Sequence, residues 1–272
     1  MICLQPWRWT FDSCHVLMAR KSSNCSGRTR SCVAHQAGLT YRRYELMTDA
    51  STHTRLPWTV ELPQPLRDRH DTSVIMALQR RCTTRQMSSA PLPTQTLSDL
   101  LWAACGVNRS DGPFGTVGRT AASASNSQEI DIYVATGEGA YLYRAIEHVL
   151  VPVATGDFRS GAMTPGQRGA NADVPVQLIY VADIHRLTHT TGFREPGLHD
   201  PETQKSYYFV DTGMIAGNVY LFCAAAGLAA WFHNCDRTGL SLRLGLREEQ
   251  RVLFAQSIGY PGTSGSGHAD RP

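Results

Sequence analysis

The sequence predicts an α+β fold in which helices surround one mainly antiparallel sheet. Three observations predict it. Apolar residues alternate over Ile130–Val134 and resume after a Gly137-Glu138-Gly139 turn, an almost wholly apolar run fills Val176–Ala182, and helical repeats flank both. With 272 residues, the chain is long enough for a sizeable core.

Taken in order, Pro57, Pro63 and Pro65 keep residues 48–68 extended. A helix is expected from a cap at Asp71 or Thr72 through Leu78 to Arg80. It empties into Arg80-Arg81-Cys82-Thr83-Thr84-Arg85-Gln86-Met87, a run dense in guanidinium groups and hydroxyls. Alone, such a run reads as a solvated turn more readily than as an anion site. Thr96 with Asp99 forms a capping-box pattern, and Leu97, Leu100, Leu101 and Ala104 share one face of a second helix that Gly106 stops. Ile130–Val134, Ala140–Tyr143 and Val149–Val153 form an antiparallel meander. After a Gly-rich loop at 154–174, Val176–Ala182 reads as a central strand covered on both faces. Residues 184–206 are a polar loop suited to a lid. Asp211–Ala230 is the longest helical pattern, and its Gly and Ala residues let a flat group or another backbone come close. A short amphipathic helix at Gly239–Leu246 and a final strand at Arg251–Tyr260 precede a linker-like tail at 262–272. No internal repeat is present.

Composition sets outer limits. The formal charge of +3 is too mild to argue for nucleic acid, and no apolar segment approaches the roughly 18 residues that span a bilayer. Residues 1–46 hold seven basic and two acidic residues, against 19 and 21 in the rest. They also hold Cys3, Cys14, Cys25 and Cys32, whose spacing includes no C-x-x-C pair, so the metal signal is weak. The expectation is a disordered or spurious extension at 1–46, Met47 being the natural start, before a cytoplasmic domain at 47–261 with unpaired thiols.

Several constellations carry little. Asp183, His185, His189 and His199 make a metal site only on paper, since they fall in a polar loop. Gly262 to Gly267 lacks the helix that a dinucleotide fingerprint requires. Nothing orients His233 toward Cys235. The run "RTAASASNSQEIDIYVA" is different. Arg119 to Gln128 is small and amide-bearing, without bulk where the chain could approach a flat ring, though a small-residue loop reads equally well.

Arg-x-Thr-x-Arg after the first helix, "LPTQTLSDLLWAACGVNRSDG", "RTAASASNSQEIDIYVA", "PVQLIYVAD", "DTGMIAGNVYLFCAAAGLAA" and a closing "GYP" occur in that order. Together, from about Glu61 to Pro261, they resemble the nitroreductase-like FMN-dependent oxidoreductases, in particular the branch of SagB/thiazole-oxidase-type dehydrogenases. The resemblance implies a nitroreductase-like α+β sandwich that is an obligate homodimer with FMN at the subunit interface. It implies that Arg81, Thr83 and Arg85 hold the FMN phosphate, with Cys82 in a variable position and Arg80 outside. Guanidinium forks suit phosphate and keep their charge. It further places Ala122, Ser123, Ala124 and Asn126 against the partner subunit's flavin ring, Gln167 toward the pyrimidine edge, and the backbone of Phe232 and His233 near the reactive N5. Three positions depart from the family pattern: Ala122 for Pro, Gly217 for Gln before Asn218, and "HNCD" for a Gly-x-Phe-Asp turn.

The activity implied is ping-pong hydride transfer from NAD(P)H to a nitroaromatic, quinone or similar small-molecule acceptor, the flavin doing the chemistry. No catalytic side chain and no metal is assigned. Two alternatives stay open: a SagB-like oxidation of azolines in a modified peptide, and a degenerate flavin-binding dimer with little turnover.

Overall fold

The structure is a computed structural model that describes residues 59–67, 72–167, 173–192 and 199–262. The expectations for 1–46, Asp71 and 263–272 concern residues outside these. In chain order the elements are β1 (Val60–Glu61), α1 (Val74–Arg80), α2 (Thr94–Cys105), β2 (Val107–Arg109), β3 (Gly118–Arg119), β4 (Ile130–Ala135) and β5 (Gly139–Arg144). There follow β6 (Val149–Thr155), β7 (Val176–Asp183), α3 (Ile184–Thr188), α4 (Pro201–Ala226), β8 (Ala229–His233), α5 (Arg237–Arg243) and β9 (Gln250–Gly259). Single 3-10 turns lie between some of them.

Seven strands form one sheet in the order β1-β6-β5-β4-β7-β9-β8, with every neighbouring pair antiparallel. β2 and β3 form a separate ribbon. All eight residues of β7 are buried, as its almost wholly apolar pattern predicts. Leu178 and Tyr180 point into a core built with Leu100, Leu101 and Ala104 of α2 and Ile215, Val219 and Cys223 of α4. Ile179 and Val181 face the opposite layer, which Leu240 and Leu244 close. The expected sandwich of helices about a mainly antiparallel sheet is therefore the observed architecture.

Local boundaries differ from the sequence reading for identifiable reasons. Ser73, not Thr72, caps α1, its hydroxyl accepting from the Met76 N–H at 3.2 Å. α2 starts behind Pro93 rather than at a Thr96 box, because the Asp99 carboxylate is drawn to the lead-in and accepts from Leu66 N–H and Gln95 Nε2. Gly106 ends α2 where a Cβ would strike Trp102. The supposed loop 184–206 contains α3 and the start of α4: Asp183 caps the first, and Asp200 caps the second with Pro201 in its first turn. The same helix stops at Gly227 in left-handed backbone (φ 70°), so Ala229 and Ala230 belong to β8, not to the helix.

By length and composition α4 could cross a membrane, contrary to the expectation that no segment would. Here Tyr208, Asp211, Thr212, Ile215, Ala216, Val219 and Cys223 are its buried residues.

A buried polar relay ties the lead-in to the body. The Tyr143 hydroxyl donates to His148 Nδ1 (2.9 Å), His148 Nε2–H donates to Ser98 Oγ (2.7 Å), and the Ser98 hydroxyl donates to the Pro63 carbonyl (2.5 Å). Every group is satisfied with a neutral imidazole, and burial lowers the His148 pKa. Ser98 is fully buried with its proton engaged, so this Ser-His-Tyr set is structural. Ser98→Ala leaves the Pro63 carbonyl and the His148 N–H unpartnered, and it is expected to cost about 1–3 kcal/mol. A lowered urea midpoint at unchanged m-value is the measurement.

Candidate functional site

The basic segment is held against the outer edge of β8. Thr84 N–H donates to the Ala230 carbonyl (3.0 Å), Ser88 N–H to Tyr260 O (2.9 Å) and Gly262 N–H to Gln86 O (3.0 Å). Met87 and Pro261 form an antiparallel bridge. Residues 82–88 thus cap an edge that would otherwise present free backbone groups. Alternation along this extended segment separates its side chains. Cys82 Sγ and Thr84 Oγ1 meet each other at 3.5 Å, while Thr83 Oγ1 meets the Tyr220 hydroxyl at 3.1 Å. The Arg81 guanidinium lies 5.8 Å from the centre of the Tyr220 ring, and that of Arg85 the same distance from the Trp231 ring. Arg81, Thr83 and Arg85 are exposed, and among the described residues neither arginine pairs with a carboxylate. Two accessible guanidinium groups astride a fixed hydroxyl form a donor set that fits a phosphate. Arg80 ends α1 outside this arrangement.

The second candidate stretch is a strained turn. Four of the five non-glycine residues with positive φ among those described are Phe114, Ser125, Asn126 and Gln128. Such backbone costs on the order of 1 kcal/mol per residue and persists only when its surroundings fix it. Here they do. Asn126 Nδ2 donates to Thr116 Oγ1 and to the Pro113 and Val117 carbonyls, and Gln128 Nε2 donates to Val117 O and Asn126 Oδ1. Arg119 Nε donates to Gln128 Oε1, Gln128 N–H to Ser123 Oγ, and Ala124 N–H to Asp211 Oδ2 at 2.8 Å. The amides expected to reach a ligand instead pin residues 113–128 together. Ala122 stands exposed at the head of the turn, and Ser123, Ala124 and Asn126 are half-buried.

Gln167 closes a one-turn helix, its Oε1 accepting from the Thr164 N–H and hydroxyl. Phe232 N–H donates to the Tyr220 hydroxyl at 2.8 Å. The His233 ring turns inward, with Nε2 2.8 Å from Ser257 Oγ and Nδ1 2.7 Å from Asn234 O. Burial lowers its pKa. The Ser257 hydroxyl donates onward to Gln177 Oε1 at 2.9 Å, and the Gln177 amide nitrogen has no hydrogen-bond partner among the described residues. Cys235 does not join it: burial pushes that thiol up to about 12. Asp183 serves as the α3 cap and pairs with Arg247 at 2.6 Å, whereas His185 and His189 stack on each other at 4.0 Å.

Sequence reasoning missed Tyr220 and Asp211, the two α4 residues that fix the basic segment and the strained turn. A tyrosine offers an apolar body with a polar tip, but its partner Thr83 is 137 positions away.

The family model described as "Nitroreductase family" matches residues 77–260. A Methanocaldococcus jannaschii protein described as a nitroreductase is 29% identical over 177 residues, 62% of this chain and 81% of the relative. A crystal structure described as a nitroreductase from Ralstonia eutropha JMP134 is 33% identical, with a TM-score of 0.65 over 75% of this chain and 90% of that one. The E. coli microcin synthetase McbBCD complex with truncated pro-MccB17 bound shares the fold (TM-score 0.52, 16% identity, 85% of this chain and 84% of that one).

Tyr220→Phe removes the acceptor of the Phe232 N–H and the hydroxyl that seats Thr83. It is expected to cost about 1–3 kcal/mol, seen as a lowered urea midpoint together with faster amide exchange at Phe232.

Proposed function

This chain belongs to the nitroreductase family, and from that premise we propose that it binds FMN through Arg81, Thr83 and Arg85 and carries hydride from NAD(P)H to a small-molecule acceptor. Membership makes it an oxidoreductase. Nitroaromatics, quinones and similar acceptors are the substrates proposed, with donor and acceptor using one cleft in turn. The observation that carries the reading is the pair of exposed, carboxylate-free guanidinium groups around Thr83, itself fixed by Tyr220. FMN, when bound, supplies the hydride chemistry at its N5. The chain's part is to hold the phosphate charge, present the Ala122–Asn126 turn to the ring, and keep Gln167, Phe232 and His233 at its edges. The cysteines among the described residues are free, in keeping with a cytoplasmic setting.

A homodimer is part of the proposal. On α1, Val74, Ile75, Met76 and Leu78 are exposed, and so are Phe209, Val210 and Met214 on α4, which packs on α1. An apolar face of this kind suits a second copy. A Cβ added to Gly213 or Gly217 of α4 would meet nothing within 4 Å, which leaves room for close approach there.

One observation favours a second reading, a flavin-binding dimer with little turnover. The Phe232 N–H, proposed to lie near N5, is engaged by Tyr220. The fold shared with the complex holding pro-MccB17 supports a third, azoline oxidation in a modified peptide.

Purification as a yellow protein, followed by anaerobic bleaching with NADH or NADPH, separates these outcomes. A colourless protein that cannot be reconstituted with FMN overturns all three. A yellow protein that NAD(P)H does not bleach favours the second. Arg85→Ala is expected to weaken FMN binding by about 10- to 100-fold, the worth of one charge-assisted hydrogen bond, while Arg80→Ala leaves it within about 3-fold. Titration of FMN fluorescence reads both, and the reverse ranking refutes this register.

A further inference from the structure

Beneath the strained turn lie two carboxyl groups to which the proposed function gives no role. Glu129 is fully buried and Asp211 is 5% exposed. Asp211 Oδ2 accepts from the Ala124 N–H, and Glu129 Oε2 accepts from the Ser127 hydroxyl at 2.5 Å. Each carboxyl feels the other: burial, and then the charge of Asp211, raise the Glu129 pKa. With both ionised they repel, and Glu129 Oε1 is left buried without a hydrogen-bond partner. One proton between them removes the repulsion and the orphan together, because a protonated carboxyl becomes a donor.

We propose that Glu129 and Asp211 share a single proton and act as positioning residues, locking the Ala122–Asn126 turn and thereby setting the affinity of the site for FMN. This rests on the FMN reading above. The mechanical link is direct. Asp211 grips the backbone at Ala124, next to Ser125 and Asn126 with φ of 49° and 53°, and Glu129 grips Ser127 on the other side. Neither carboxyl can leave its place without releasing part of a turn that is strained on its own.

The surroundings favour the shared proton. Arg186 of α3 is the cation that senses Glu129, but it is bound to Asp131 of β4 at 2.7 Å and lies 3.8 Å from Asp183, which also holds Arg247. The like charge of Asp211 on α4 adds to burial in raising the Glu129 pKa, and the Ser127 hydroxyl bonded to it lowers it. Burial first, then Asp211, raises the Glu129 pKa to about 7, and burial raises Asp211 as well. The sign follows. The folded state keeps a proton that the unfolded chain releases near its ordinary 4.5. The stability it contributes is therefore complete below that value and is lost as pH rises through about 7. Above it the turn loosens.

The test compares wild type with Glu129→Gln, whose amide donates to Asp211 without titrating. FMN binding is measured between about pH 6 and about pH 8, and the infrared band of a buried protonated carboxyl is recorded in the FMN-free protein. Relative to the variant, wild type is expected to lose about 10-fold in FMN affinity over that range, and only wild type shows the band. Asp211→Asn makes the same comparison if Glu129→Gln does not fold. Parallel pH profiles with FMN still bound overturn the positioning role and leave the FMN reading intact. Absence of the band overturns the shared proton. A protein that binds no FMN at any pH overturns the FMN reading and the affinity claim with it, while the band still decides where the proton is.

Discussion

The candidate site hangs on the seating of α4. One strip of that helix seals the core through Ile215, Val219 and Cys223. From the flanks of the same strip Asp211 reaches Ala124, Asn218 reaches the Ala104 carbonyl and Tyr220 reaches both Thr83 and Phe232. With 3.6 residues per turn, rotating α4 by one position would swing all of these by about 100° and bare the core at the same time. Apolar packing therefore fixes polar geometry. Asp211 and Tyr220, nine positions apart, hold the strained turn and the basic segment about 13 Å apart along one rigid rod.

Strain and burial are managed by over-determination. The turn at 122–128 adopts backbone that non-glycine residues avoid, and a web of amide donors, a guanidinium and a carboxylate surrounds it. The edge of β8 is treated likewise: it carries the aromatic residues Trp231 and Phe232 and is covered by the very segment whose arginines face outward. The fold thus uses one stretch, 81–88, both to close a sheet edge and to present cations. Substitutions there that alter backbone geometry disturb the sheet as well as the site.

Much of this was legible because it is local. The Ile130–Val134 alternation, the Gly137-Glu138-Gly139 turn, the almost wholly apolar run of β7 and the Gly106 stop each declare themselves within a few residues. The start of α4 did not, because Glu202 to Ser206 is polar on every side and only the Asp200-Pro201 pair marks it. β8 was hidden in "GLAAWF", where small apolar residues suit a helix or a strand, and pairing with β9 decides. In the site, Arg81, Thr83 and Arg85 are named only through the family resemblance, since their own run reads as a solvated turn. Tyr220, Asp211 and Glu129 could not be named at all, since their partners are assembled by the fold: Ala124 and Asp211 stand 87 positions apart.

β7 lies inside the sheet and takes its neighbours from opposite directions along the chain. β4 is made before it, but Val176 finds its other partner in Ile258, at the end of the last strand. During synthesis, at roughly 5–20 residues per second, the sequence VQLIYVA leaves the ribosome long before β9 exists. Until then it offers a bare apolar edge of the kind that recruits other strands. The β7 edge closes only once β9 has been made, so a message cut short upstream of Gln250 yields a sticky fragment instead of a smaller enzyme, and holding that edge apart in the interval falls to whatever chaperones the cell provides.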